Sequence, residues 1–202
     1  MPIQFWMVRV DRPLTGREQD VLRTLLPRER EEKLRRQPPE KQAEVLCAYG
    51  LLLALLWERE CWKSLPAIRR EAGGKPVFPA HPEICFSISH TAGAAAAAVS
   101  ETPVGVDIQC VRTPPPHLAQ RTGEETPENF SRRWVRWESI AKRRGTGLLD
   151  LVRGEPSLAP EEVYTAVAAF PGYAAGVAGT EPVCPEQVRR LTAEDLLGCL
   201  DI

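Results

Sequence analysis

The most apolar run of the chain covers residues 45–57, about 13 residues between charged neighbours. A bilayer span needs roughly 20 such residues, so the run predicts a buried core helix that the rest of the chain must cover. Pro38-Pro39 stands just ahead of it, which sets the expected helix from Glu40 to about Trp62. Upstream, Ile3-Gln4-Phe5-Trp6-Met7-Val8 reads as a first strand and lacks the blocks of a signal peptide. Between the two, residues 17–36 form a charged helical stretch with Val21, Leu22, Leu25 and Leu26 at helical spacing. Downstream, Gly73-Gly74 closes a segment, and the prolines of Lys75-Pro76-Val77-Phe78-Pro79 exclude a continuous helix.

With 202 residues and 43% hydrophobic content, the chain can bury a sizeable core as one large domain or two small halves. Lys and Arg number 26 against 27 Asp and Glu, so no global basic field invites nucleic acid or membrane, and any anion site must be local. The six cysteines form neither a CxxC pair nor a Cys/His cluster, which argues against structural zinc and for free thiols in a reducing, cytoplasmic compartment.

Strand signals follow the core helix. Cys85-Phe86-Ser87-Ile88-Ser89-His90 alternates, with Phe86 and Ile88 on one face and Ser87 and Ser89 on the other, as in a half-buried strand. Residues 94–98 are five alanines, helical by propensity but too short a run between Gly93 and Val99-Ser100 for a stable helix, so a closely packed strand is expected. After a turn at Thr102-Pro103, Val104-Gly105-Val106-Asp107-Ile108-Gln109 reads as a strand with Asp107 and Gln109 on one face. Residues 113–129, with Pro114-Pro115-Pro116, Gly123, Glu124 and Glu125, read as a long loop. A helix is expected from about Ser131 to Arg144, ended by Gly145 and Gly147, then a hairpin around Pro171-Gly172. The amphipathic tail, residues 185–200, predicts a helix.

Chemistry concentrates on two of these segments. Trp134, Glu138 and Lys142 are spaced i, i+4, i+8 and line one helical stripe. Asp107, Gln109 and Glu138 offer oxygen donors with no His or Cys beside them, a set that suits Mg²⁺, which takes one or two carboxylates together with substrate phosphates. Lys142, one turn beyond Glu138, could meet a phosphate, which points to phosphoryl chemistry on a diphosphate. A solvated Glu–Lys pair on a surface helix has the same spacing.

The order of Gly74-Lys75-Pro76, Phe86-Ser87-Ile88-Ser89-His90, Val104-Gly105-Val106-Asp107-Ile108 and Trp134-Val135-Arg136-Trp137-Glu138-Ser139-Ile140-Ala141-Lys142 resembles the 4′-phosphopantetheinyl transferases, in particular the monomeric surfactin-synthetase-activating type. The resemblance covers residues 1 to about 180. It implies an α+β fold of two similar halves related by a pseudo-twofold axis, residues 1–102 and 103–202, with the active site in the cleft between them. It implies transfer of the phosphopantetheine arm of coenzyme A to a serine of an apo acyl, peptidyl or aryl carrier protein, releasing adenosine 3′,5′-bisphosphate. By the same resemblance Asp107, Glu138 and the position of Gln109 hold Mg²⁺, and Glu138, or a metal-bound water it orients, is the base. Lys142 contacts the pyrophosphate, and Lys75, Pro76, Ser89 and His90 hold the phosphoadenosine end.

Three positions depart from the pattern. Gln109 stands where a second acid is expected, Trp137 where a basic residue precedes the helix carboxylate, and Glu44 or Val45 where an arginine meets the 3′-phosphate. Lys33, Arg35, Arg36 and Lys41 are the substitutes at hand for that arginine. Two rival readings stand beside the transferase: a non-catalytic coenzyme A-binding or carrier-docking relative that kept the fold, and an unrelated Mg²⁺ phosphohydrolase.

Overall fold

The computed structural model describes residues 2–123, 126–146 and 156–202. Glu124, Glu125 and Gly147, assigned above to a loop and a helix end, lie outside them. Two sheets carry the architecture, and the α+β class holds. The first is ordered β4-β5-β1-β9 from strands β1 (Gln4–Arg9), β4 (Cys85–Thr91), β5 (Ala94–Ser100) and β9 (Val188–Thr192). The second is ordered β6-β8-β7 from β6 (Gly105–Cys110), β7 (Val163–Val167) and β8 (Tyr173–Gly179). A two-residue pair, β2 (Arg69–Arg70) with β3 (Pro76–Val77), flanks the first sheet.

The apolar run becomes α3 (Pro39–Glu60), opened by a proline in its first turn and closed by Cys61 in the left-handed region. It lies beneath the first sheet, where Leu51, Leu52, Leu55 and Leu56 pack with Trp6, Phe86, Ala95, Ala97 and Val99. On the opposite face Ala94, Ala96 and Ala98 join Phe5, Met7, Val106, Ile108 and Val177 in a second core. The five alanines are therefore a strand with layers on both sides, and their small side chains let both layers approach it. No helix of the described residues is long and apolar enough to cross a membrane.

The sheets meet edge to edge through side chains. Ser87, Ser89 and Thr91 of β4 accept from the backbone N–H of Val106, Ile108 and Cys110 on β6, at 3.0, 3.4 and 3.3 Å. Ser87 and Ser89 are consequently buried like Phe86 on the opposite face, where alternation alone predicts a half-exposed strand. Its polar face is spent on a neighbouring strand rather than on water.

Other expectations need correction. The charged stretch at 17–36 is broken at Pro27 into α1 (Gly16–Arg23) and α2 (Arg28–Leu34). The loop at 113–129 contains a short helix, α4 (Pro116–Thr122). Helix α5 begins earlier than expected and spans Pro127–Arg144, because Thr126 caps it by accepting from Asn129 N–H and Pro127 fits its first turn. The tail is only partly helical. Val188–Thr192 forms β9, parallel to β1, and the helix is confined to α6 (Ala193–Cys199).

Candidate active site

Helix α5 lies across β6 and β8, and close approach fixes where its polar stripe sits. A Cβ at Gly105 would collide with the Ser139 carbonyl and the Arg143 backbone nitrogen, so only glycine lets β6 reach the helix this closely. Ser139 Oγ donates to the Gly176 carbonyl at 3.1 Å, which pins the same turn of α5 to β8. The stripe then faces a cleft of about 400 Å³. Lys75, Pro76, Ser89, His90, Asp107, Gln109, Glu138 and Lys142 all line it, so the structure brings together every site residue named from the sequence.

Lys142 is the hub. Its Nζ donates to Asp107 Oδ1 at 2.6 Å and Ser89 Oγ at 3.0 Å, and lies 3.3 Å from Glu138 Oε2. Glu138 Oε1 accepts from Trp134 Nε1 at 2.7 Å, which makes the helical stripe a connected chain of contacts. Asp107 is 3% exposed; burial lifts its carboxyl to about 6, against the pull of Lys142 and with a push from Glu138. Burial also works against the Lys142 charge, but the two carboxylates outweigh it and its pKa is raised. At neutral pH the pair is ionic.

Lys75 reaches the cleft wall, yet its ammonium donates to the carbonyls of Arg143 at 2.6 Å and Val104 at 3.4 Å. It thereby ties the Gly73-Gly74 turn to the last turn of α5, where a lysine meets open carbonyls favourably. His90 is the next-to-last residue of β4, and its Nδ1 lies 3.6 Å from Glu44 Oε2. Burial first, and then Arg30, Lys142 and Lys41, lower the imidazole pKa to about 4. Arg30 of α2 also lines the cleft, with its Nε buried and without a partner. Sequence reasoning passed over Arg30, because nothing in its charged helix separates it from Lys33 or Arg35 until α2 is folded against the cleft.

The donors fit a hard cation. Asp107 Oδ1 serves Ser89 and Lys142, whereas Oδ2 is buried and has no hydrogen-bond partner. Two carboxylates and the Gln109 amide make an oxygen-only set with one buried oxygen left to fill. No cluster of three His, Cys, Asp or Glu suited to a metal occurs among the described residues, so such an ion would take its other ligands from water or phosphate. Trp137 is turned inward against Ala141 and Trp134, away from any role in the cleft.

Three proteins of Bacillus subtilis, each bearing the name 4′-phosphopantetheinyl transferase, are similar to this chain. The one designated ffp is 27% identical over 96% of this chain and 100% of its own length. The one designated Sfp, from strain 168, is 25% identical over the same shares. A third is 26% identical over 72% of each chain. No protein-family model matches the sequence. Across nearly its whole length, the chain resembles the 4′-phosphopantetheinyl transferases.

Proposed function

We propose that this protein transfers the 4′-phosphopantetheine arm of coenzyme A to a serine of an apo carrier protein, with Mg²⁺, releasing adenosine 3′,5′-bisphosphate. The observation that carries this reading is the convergence of Asp107, Glu138 and Lys142 from two separate elements into one cleft. Asp107 and Glu138 would hold the ion, with the Gln109 carbonyl beside them, and when bound it would neutralise charge on the departing phosphate.

The chain's own residues account for the rest. The Lys142 ammonium, protonated between two carboxylates, is placed to meet the pyrophosphate. Lys75 and Pro76 shape the wall for the phosphoadenosine end, while Ser89, His90 and Arg30 supply its polar contacts. Glu138, anchored by Trp134, accepts the serine proton as the serine oxygen attacks phosphorus and the bond to the nucleotide phosphate breaks. The family arrangement of two halves about a pseudo-twofold axis, at 1–102 and 103–202, is part of the proposal. So are action as a monomer in the cytoplasm and acyl, peptidyl or aryl carrier proteins as partners.

Incubation with coenzyme A, Mg²⁺ and a panel of apo carriers, read by intact mass, is expected to add phosphopantetheine to at least one carrier. No mass gain with any carrier, beside a working control enzyme, would overturn the proposal. A non-catalytic coenzyme A-binding relative is favoured by Gln109, Trp137 and Glu44 at the departing positions. It predicts coenzyme A binding indifferent to Mg²⁺ and to Asp107→Ala.

A further inference from the structure

Three acids are buried among the described residues: Glu44, Asp107 and Glu162. Asp107 has Lys142 in contact, and Glu162 has Arg143 and Arg144. Glu44 is different. Its Oε1 accepts from the Gly93 backbone N–H at 3.0 Å, and its Oε2 faces the His90 imidazole at 3.6 Å. A carboxyl that is 7% exposed without a permanent cation in contact is costly to keep ionised, and burial accordingly raises its pKa despite the Gly93 hydrogen bond and nearby Lys41. The proposed mechanism makes no use of this group.

Its surroundings point to an anion. Glu44 and His90 line a second cavity of about 740 Å³ that also has Arg30, Lys33, Lys41 and Arg112 in its wall. His90 and Arg30 line the catalytic cleft as well, so the two spaces share those side chains. The other groups acting on the pair are Glu40 on α3, Lys142 on α5 and the Tyr173 hydroxyl of β8, which donates to Ala92 O at 2.8 Å. Cations around the cavity favour a phosphate, while a carboxylate among them opposes it unless one proton is added. An imidazole and a carboxylate 3.6 Å apart become an ion pair once the imidazole takes up that proton, and a phosphomonoester itself titrates near pH 6.

We infer that Glu44, through His90, is a specificity-determining residue that makes this cleft recognise the 3′-phosphate of coenzyme A together with a proton taken from solvent. The inference rests on the coenzyme A reading above. It assigns Glu44 a positioning role: the carboxyl orients His90 and weakens the preference for coenzyme A over dephospho-coenzyme A as pH rises.

Calorimetric titration of the wild-type protein in two buffers of different ionisation heat tests this without an acceptor. Coenzyme A is expected to take up roughly half a proton to one proton on binding at pH 7, and dephospho-coenzyme A close to none. Glu44→Gln keeps an acceptor for Gly93 N–H while removing the charge. It is expected to lose most of the uptake and to raise the preference for coenzyme A at pH 8 by about tenfold. Equal proton uptake for the two ligands in the wild type would overturn the inference, and that measurement decides even where the variant melts early. An unchanged preference in a folded Glu44→Gln protein would overturn it too. Loss of transfer with coenzyme A binding and proton uptake intact would sink only the transferase reading. Failure of both ligands to bind would sink both.

Discussion

Ser89 shows how one small side chain can connect a fold to its chemistry. Its hydroxyl donates to Asp107, accepts from Lys142 and receives the Ile108 N–H, so it joins β4, β6 and α5 at one oxygen. Ser89→Ala leaves a buried carboxylate and an ammonium each short of a partner, a loss worth about 1–3 kcal/mol. A melting-temperature decrease is expected, together with a fall in transfer of about tenfold or more as Lys142 loses its fixed position. Full activity in that variant would show that the hydroxyl is only a strand connector. The alternation of Phe86 and Ile88 with Ser87 and Ser89 makes this face legible as polar from the sequence alone. What it faces is not legible there, because the partner N–H groups belong to β6, about 19 residues later, in another sheet. Arg30 is harder still, since its helix carries no sign of the cleft in sequence; Glu44 stands out only as a departure from the resembled pattern, and what either side chain touches is set by tertiary packing.

At the scale of elements, the position of α5 decides whether its stripe meets β6. Gly105→Ala pushes a methyl into the backbone of residues 139 and 143, which no side-chain rotation can relieve. A destabilisation of about 3 kcal/mol is expected, with loss of transfer exceeding what partial unfolding explains. A second tie acts at the C-terminal end of the same helix, where Glu162 precedes β7 and pairs with Arg143 and Arg144. The Arg144 hydrogen bond, opposed by burial and reinforced by the Ala159 N–H, lowers the Glu162 pKa to about 2. A depressed acid pKa stabilises the fold above the unfolded value near 4.5, and that stability is lost as pH falls toward 2. Glu162→Gln is therefore expected to cost about 3 kcal/mol at pH 7. In urea melts, the difference from wild type should narrow between pH 4.5 and 2; a constant difference would mean that the loss is one of packing. The helical stripe itself is legible from i, i+4 spacing, whereas these ties are not, since a glycine and a glutamate just ahead of a strand carry no periodic signal.

For the molecule as a whole, the end of the chain does what its sequence hides. Residues 188–192 are too few and too charged to stand out as a strand, and their pairing with β1 is parallel and spans almost the entire chain. An amphipathic tail on its own predicts a helix, and α6 does supply one, with Leu196, Leu197 and Leu200 buried beside α3. Gly50 of α3 leaves the space in which Leu196 and Leu200 meet the helix. The tail thus completes the first sheet and its core, although it follows the second sheet in sequence. Burying three leucines is worth roughly 5–9 kcal/mol at about 1.5–3 kcal/mol each, comparable to the roughly 5–15 kcal/mol that holds an ordinary domain together. Removing residues 183–202 would also expose β1 as a sheet edge beside freshly uncovered apolar surface, a combination that promotes association. The truncated chain is expected to aggregate or to melt non-cooperatively, as read by sedimentation and near-ultraviolet circular dichroism. A truncated protein that still melts in one sharp transition would show that the first sheet is stable without β9, and that the tail's burial contributes far less than its leucines suggest.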